Sequence, residues 1–95
     1  MQQASITPDS VVCRSQNQVS TEIDGEAVLL SIEKGKYYGM NKILTAIWNW
    51  LEQPTRVSEV CTKILETYEV SDDVCRKDVM KVLDELRNEG LIDIR

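Results

Sequence analysis

Asp24-Gly25 is the feature that most constrains this chain. The commonest two-residue hairpin turn needs two successive residues at positive φ, and Asp-Gly is among the few pairs that supply them. Here the pair sits between two runs of β-like character. Before it, VSTEID over Val19–Asp24 is rich in β-branched residues, with Val19, Thr21 and Ile23 on one face. After it, Glu26–Ile32 alternates Val28, Leu30 and Ile32 on one face with Ala27, Leu29 and Ser31 on the other. Both faces are largely apolar, which predicts a central strand covered on one side by helices. Glu33-Lys34-Gly35-Lys36 makes the next turn and Tyr37-Tyr38-Gly39-Met40 a third strand. The expectation is a three-stranded antiparallel meander, with Tyr37 and Tyr38 on opposite faces.

Past Met40 the apolar period changes from two to that of a helix. Asn41 is placed to cap a first helix running to about Glu52, with Ile43, Leu44, Ile47, Trp48 and Leu51 on one face. Gln53-Pro54 ends it. Thr55 or Ser58 opens a second helix to about Tyr68, whose buried side is Val57, Val60, Cys61, Ile64 and Leu65. Ser71 or Asp72 caps a third, to about Asn88, with Asp72 and Asp73 near its positive end. Its stripe is Cys75, Val79, Val82, Leu83 and Leu86, widened on one flank by Met80 with Arg76 and Arg87 beside it. Gly90 ends the helix, and Leu91–Ile94 either pairs as a strand or packs on the core. The predicted fold class is α+β: a three-stranded antiparallel β-meander followed by three α-helices, winged-helix-like. Residues 1–10 read as polar and frayed, and Val11-Val12-Cys13 as a short strand or ordered lead-in. Residues 1–18 are therefore set apart as an N-terminal segment, in part disordered or a lead-in strand, from a domain over 19–95.

Composition removes several function classes. The chain has 95 residues, which suits one domain. It has no histidine, hence neither the usual general base nor the commonest metal ligand. Three cysteines (Cys13, Cys61, Cys75) match no zinc spacing and read as core filler, and no Gly-rich phosphate loop is present. No catalytic residue, metal or cofactor is predicted. The beginning lacks the basic and apolar regions of a signal peptide, and no apolar run approaches the ~20 residues of a membrane span, so a cytoplasmic protein without membrane contact is expected. A winged-helix DNA-binding transcription regulator is the competing class. Its recognition helix would carry Arg76, Lys77, Lys81 and Arg87 against Asp72, Asp73, Asp78, Asp84 and Glu85. That balance, in a chain of net charge −5, does not favour phosphates, and no nucleic-acid partner is predicted.

DGEAVLLSIEKGKYYGMN followed by ILTAIWNWL closely resembles the PqqD-like family, within it the discrete RiPP recognition elements of lasso-peptide clusters. The resemblance covers about residues 19 to 93. Its most specific parts are Asp24-Gly25, Val28-Leu29-Leu30, Gly35 through Asn41, and Cys75-Arg76-Lys77-Asp78-Val79 leading into Leu83, Leu86 and Gly90-Leu91. The family more often has Asp at Ser31, Arg at Lys36 and Leu at Met40. The resemblance implies non-catalytic binding of the leader segment of a ribosomally made precursor peptide. The leader would add as a strand to the third strand, in a groove against the third helix. It implies a peptide-binding set of Leu29, Lys36, Tyr37, Tyr38, Gly39 and Met40, facing Arg76, Val79, Met80 and Leu83. It implies three partners: the leader, a separate leader peptidase and, through that, a ring-closing enzyme. The peptide chaperone of pyrroloquinoline quinone synthesis is the alternative within the same fold.

Overall fold

The structure, a computed structural model, describes residues 6–95. Residues 1–5, the first part of the segment read as frayed, lie outside the described residues. In chain order the elements are β1 (Val11–Arg14), β2 (Gln18–Ile23), β3 (Glu26–Ser31), β4 (Lys36–Gly39), α1 (Lys42–Trp50), β5 (Thr55–Arg56), α2 (Val57–Thr67), α3 (Asp72–Asn88) and β6 (Ile92–Ile94). The fold is α+β, with the predicted meander ahead of the three helices.

The meander is the antiparallel sheet β2-β3-β4, with β3 central. Asp24 and Gly25 take φ of 54° and 80°, the two successive positive values of a type I′ turn. That turn pairs Ile23 with Glu26 and fixes the register through to Gln18 opposite Ser31. Ala27, Leu29 and Ser31 are buried on the helix side, whereas Val28 and Leu30 are only half-buried on the other. The helices thus cover one face of the sheet. Thr45 of α1 fastens them there: its hydroxyl accepts from the Ala27 amide at 2.8 Å, a buried bond.

The helix ends follow side-chain chemistry. Asn41 Oδ1 accepts from the Leu44 amide at 2.9 Å, and Ser71 Oγ from the Val74 amide at 3.4 Å. The second helix opens without such a cap. Thr55 is not its N-cap, because its hydroxyl is spent on the carbonyls of Trp50 and Gln53 (3.1 and 2.8 Å) while its backbone joins β5. Gly90, at φ 74°, turns the chain out of α3, and the Leu91 amide closes back on the Leu86 carbonyl at 2.9 Å.

A second antiparallel sheet, β5-β1-β6, extends the predicted architecture. The middle strand is β1, with Val12 opposite both Thr55 and Ile94. Residues 6–10 are not frayed: Ile6 is buried, and the carbonyls of Pro8 and Ser10 accept from the Ser58 and Val57 amides. Arg14 holds this sheet to α1. Its guanidinium lies 4.5 Å from the Trp48 ring centroid and donates twice to the Trp48 carbonyl, at 3.0 and 2.8 Å, where the helix end is negative. Val12, Leu51, Leu91 and Ile92 meet in the core there, all essentially inaccessible.

Candidate functional site

Among the described residues, strand β4 pairs on one side only, with β3. The Met40 amide donates to the Ala27 carbonyl at 2.8 Å, so the backbone of Met40 faces β3. Backbone groups alternate sides along an antiparallel strand, so Tyr38 and Lys36 also turn theirs inward. Tyr37 and Gly39 therefore present their N–H and C=O groups at the open edge. The opposite edge, β2, runs out beside Asn49 of α1, which donates to Glu22 at 3.1 Å.

Beside β4 lies a groove of about 320 Å³ lined by Tyr38, Gly39 and Met40 on the strand side and by Val82, Glu85, Leu86 and Glu89 of α3 opposite. Leu44 and Leu91 complete its floor. A larger cleft of about 410 Å³ between α1 and α3 shares Leu44, Val82 and Glu85 with it, so the two are continuous past a neck at Leu44 and Val82. Its mouth exposes apolar surface: Ile43, Val70 and Val74 all line it and are exposed. An open strand edge thus leads into an apolar trough.

The polar end of the groove is tied shut. Tyr38 donates to Glu89 Oε2 at 2.6 Å, and Lys34 in the β3–β4 turn sits 3.6 Å from the same oxygen. The carboxylate bond pushes the Tyr38 phenol up to about 12, while the Tyr38 hydroxyl, then Lys34 and Lys36, hold the Glu89 carboxyl below its usual range. At neutral pH this is a phenol donating to a carboxylate, which fixes the middle of β4 to the C-terminal end of α3.

The structure divides the site residues read from the sequence. Tyr38, Gly39 and Met40 line the groove, and Val79 lines the adjoining cleft. Leu29, opposite Tyr38, and Leu83 are fully buried and act as support. Lys36 opens the strand, exposed, and the Tyr37 side chain points to the far face of the sheet, 73% exposed. Arg76 and Met80 are not brought to β4. They line a separate depression between α2 and α3, with Pro8, Val57 and Leu65, and Arg76 Nε pairs with Asp72 at 3.3 Å. At 100° per residue, Val82 lies about 200° round α3 from Met80, and it is the Val82 flank that faces the strand. The residues missed are Leu44, Val82, Glu85, Leu86 and Glu89 as groove lining, with Ile43, Val70 and Val74 beyond. Val74, apolar but outside the predicted stripe, was the available signal.

Cys75 lines the α1–α3 cleft and Cys61 the depression between α2 and α3. Cys61 and Cys75 are buried, and burial pushes Cys61 up to about 11 and Cys75 in the same direction, leaving protonated core side chains. Among the described residues no helix is long and apolar enough to cross a membrane.

The family model described as coenzyme PQQ synthesis protein D (PqqD) matches residues 26–92. No curated protein matches the chain. Among solved structures, TbiB1 in complex with the TbiA(beta) leader peptide is 32% identical, with a TM-score of 0.79 over 85% of this chain and 94% of that one. A lasso peptide synthetase B1 complexed with the leader peptide is 20% identical, with a TM-score of 0.76 over 86% and 96% of the two chains. The PqqD truncation of Methylobacterium extorquens PqqCD, a stand-alone RiPP recognition element solved by NMR, is 14% identical, with a TM-score of 0.75 over 94% and 95%. The last two speak to fold alone.

Proposed function

Because this chain belongs to the PqqD family, we propose that it is a non-catalytic recognition protein for the leader segment of a ribosomally made precursor peptide, of the lasso-peptide type. The observation that carries the proposal is the unpaired edge of β4 lying directly beside an apolar groove. An extended peptide added to that edge exchanges main-chain bonds with Tyr37 and Gly39 and lays alternate side chains between Tyr38, Met40, Leu44, Val82 and Leu86. Its continuation past Gly39 enters the α1–α3 cleft. Lys36 contributes charge at the strand's start, and Leu29, Val79 and Leu83 hold the walls.

The leader peptidase, and through it the ring-closing enzyme, are the partners that would act on the held peptide. The similarity to TbiB1, solved with a leader peptide, supports leader binding, and the KYYGMN stretch resembles the lasso type more than a peptide chaperone of pyrroloquinoline quinone synthesis. No comparable observation favours DNA, and the flank of α3 that faces the groove carries Asp78, Glu85 and Glu89 against Lys81.

Titration of the chain with the synthetic leader encoded beside it tests the proposal. Saturable binding is expected, with amide signals of Tyr37 and Gly39 shifting most among those of β4. The family resemblance implies a leader with a Tyr and a Pro spaced as YxxP, and changing both to alanine should weaken binding at least about tenfold. No binding of the cognate leader would refute it.

A further inference from the structure

Main-chain pairing at β4 does not by itself set the register of an added peptide. Tyr37 and Gly39 offer the same outward groups to every sequence. A peptide that slips by two residues keeps its bonds and its alternation of faces. A stop against slippage has to come from side chains, and the rim of α3 carries one.

Along the flank of α3 that faces the trough the charged residues are Glu89, Glu85, Lys81 and Asp78. Glu89 is engaged by Tyr38 and Lys34. Glu85 and Lys81 are exposed, and they stand outside the ion pairs of Lys34 with Glu89 and of Arg76 with Asp72. Lys before Glu at i, i+4 is also the weaker order for a pair within one helix. Glu85 lines both groove and cleft, whereas Lys81 lines the cleft alone, so Glu85 marks the neck and Lys81 the rim past it. The facing wall of α1, with its cap Asn41 and Ile43, Leu44 and Ile47, brings no charge to the cleft.

The spacing of the two charges matches an extended chain. Four residues of helix at 1.5 Å each put Glu85 and Lys81 ~6 Å apart along the axis. Same-face side chains of a strand recur every ~6.6 Å. Successive helix-side residues of a peptide on β4 therefore come level first with Glu85 and then with Lys81. Asp78 follows ~4.5 Å further on, out of step with that period.

We infer that Glu85 and Lys81 fix the register of the bound leader by taking a basic side chain beside Glu85 and an acidic one, two residues away, beside Lys81. The inference rests on the leader-binding reading above. The stems of these side chains lie over Leu44 and Val82 while their heads reach the exposed rim, so neither charge is buried. A slip of two residues sets the basic group against Lys81 or the acidic group against Glu85, like against like.

The test titrates the full chain with the synthetic leader encoded beside it, each leader residue replaced in turn by Lys and by Glu. Exchanging Lys for Glu swaps attraction for repulsion, so beside an exposed partner it changes affinity roughly 2- to 30-fold at low salt. One leader residue should favour Lys over Glu by at least about threefold, and a second, two residues away, should favour Glu by as much. In the Lys81→Glu/Glu85→Lys double variant both preferences should invert. Its net charge equals that of the wild type, so long-range attraction is unchanged. Glu85→Gln should abolish the first preference alone, and Asp84→Lys, exposed and off the trough, should leave both. Circular dichroism establishes folding, and Glu85→Gln decides the matter if the double variant does not fold. A flat scan of the wild type overturns the inference while the leader-binding reading stands. So do preferences that the folded double variant leaves in place, that Glu85→Gln leaves in place, or that Asp84→Lys shifts equally. Failure of the wild-type chain to bind leader at all removes both readings.

Discussion

Replacing Gly39 by proline isolates the open backbone edge from everything else in the site. Alternation from the Met40–Ala27 bond turns the Gly39 N–H outward, so proline removes no bond of the sheet. Proline is tolerated on an edge strand when its missing N–H faced solvent, and its restriction of the preceding residue suits the extended Tyr38. No described residue lies within 4 Å of where a Cβ on Gly39 would sit, and its φ is not in the left-handed region, so a side chain fits there. The bound peptide is affected quite differently. It loses one main-chain bond, about 0.5–1.5 kcal/mol net, and keeps a carbonyl unpaired against the groove, about 1–3 kcal/mol. The sum, roughly 2–4 kcal/mol, weakens binding on the order of 30- to 1000-fold. Gly39→Ala is the matched control. It keeps the N–H and points its methyl to the far face of the sheet, so binding should stay within about threefold while the fold gains about 0.4–1 kcal/mol from a stiffer unfolded chain. Titration of leader by calorimetry, with circular dichroism to establish folding, reads both. A folded Gly39→Pro chain that binds leader as tightly as wild type would refute strand addition at β4.

Three further outcomes follow from the geometry. Val82→Glu, which puts a charge at the neck shared by groove and cleft, should weaken leader binding at least about tenfold, whereas Met80→Glu on the other flank should leave it within about twofold by the same titration. Leu83→Ala, fully buried, should cost about 2–5 kcal/mol of stability in denaturant unfolding, without selectively weakening leader binding at temperatures where the variant is folded. The Tyr38–Glu89 bond should shape the pH profile of thermal unfolding at both ends. Glu89 is lowered in the fold, so its contribution is present above the ordinary carboxylate range and lost as pH falls through the folded value. Tyr38 is raised to about 12, so its contribution is complete below about pH 10 and lost as pH rises through about 12. Tyr38→Phe should flatten the alkaline loss, and Glu89→Gln the acid one; unaltered profiles would refute the assignment.

The parts legible in the sequence are those fixed by neighbours in the chain. Asp24-Gly25 imposes its turn because two adjacent residues supply both positive φ values, and the register of β2 on β3 follows from that turn alone. Asn41 and Ser71 cap their helices through bonds to amides three residues on. The second sheet was not legible in the same way. Its strands have four, two and three residues, too short for a period to declare itself, and β1 finds its partners far along the chain, around Thr55 and Ile94. The flank of α3 failed for another reason. Its apolar arc has Met80 at one side and Val82 and Val74 at the other, and helix geometry is indifferent to which side meets β4. That choice is made by α2, which covers the Met80 side, and by the Tyr38–Glu89 bond, which brings β4 to the other.

An open edge invites any extended chain, and the magnitudes explain how this one can discriminate. Only Tyr37 and Gly39 offer outward groups, so pairing supplies at most four main-chain bonds, about 2–6 kcal/mol in all. Association costs an estimated 4–15 kcal/mol, so strand pairing alone does not hold a peptide. The rest must come from side chains that fit the trough, each worth about 1.5–3 kcal/mol when fully buried. Two or three such anchors, one between Tyr38 and Leu86 and others in the α1–α3 cleft, bring the total into a useful range. The four-residue length of β4 therefore works in two directions. With Lys36 at its start, it is too short and too charged to template aggregation. If the leader adds at β4 as proposed, that length also keeps the sequence-blind part of binding below what capture requires, and selectivity falls to the groove, with Val82 and Leu44 at its neck.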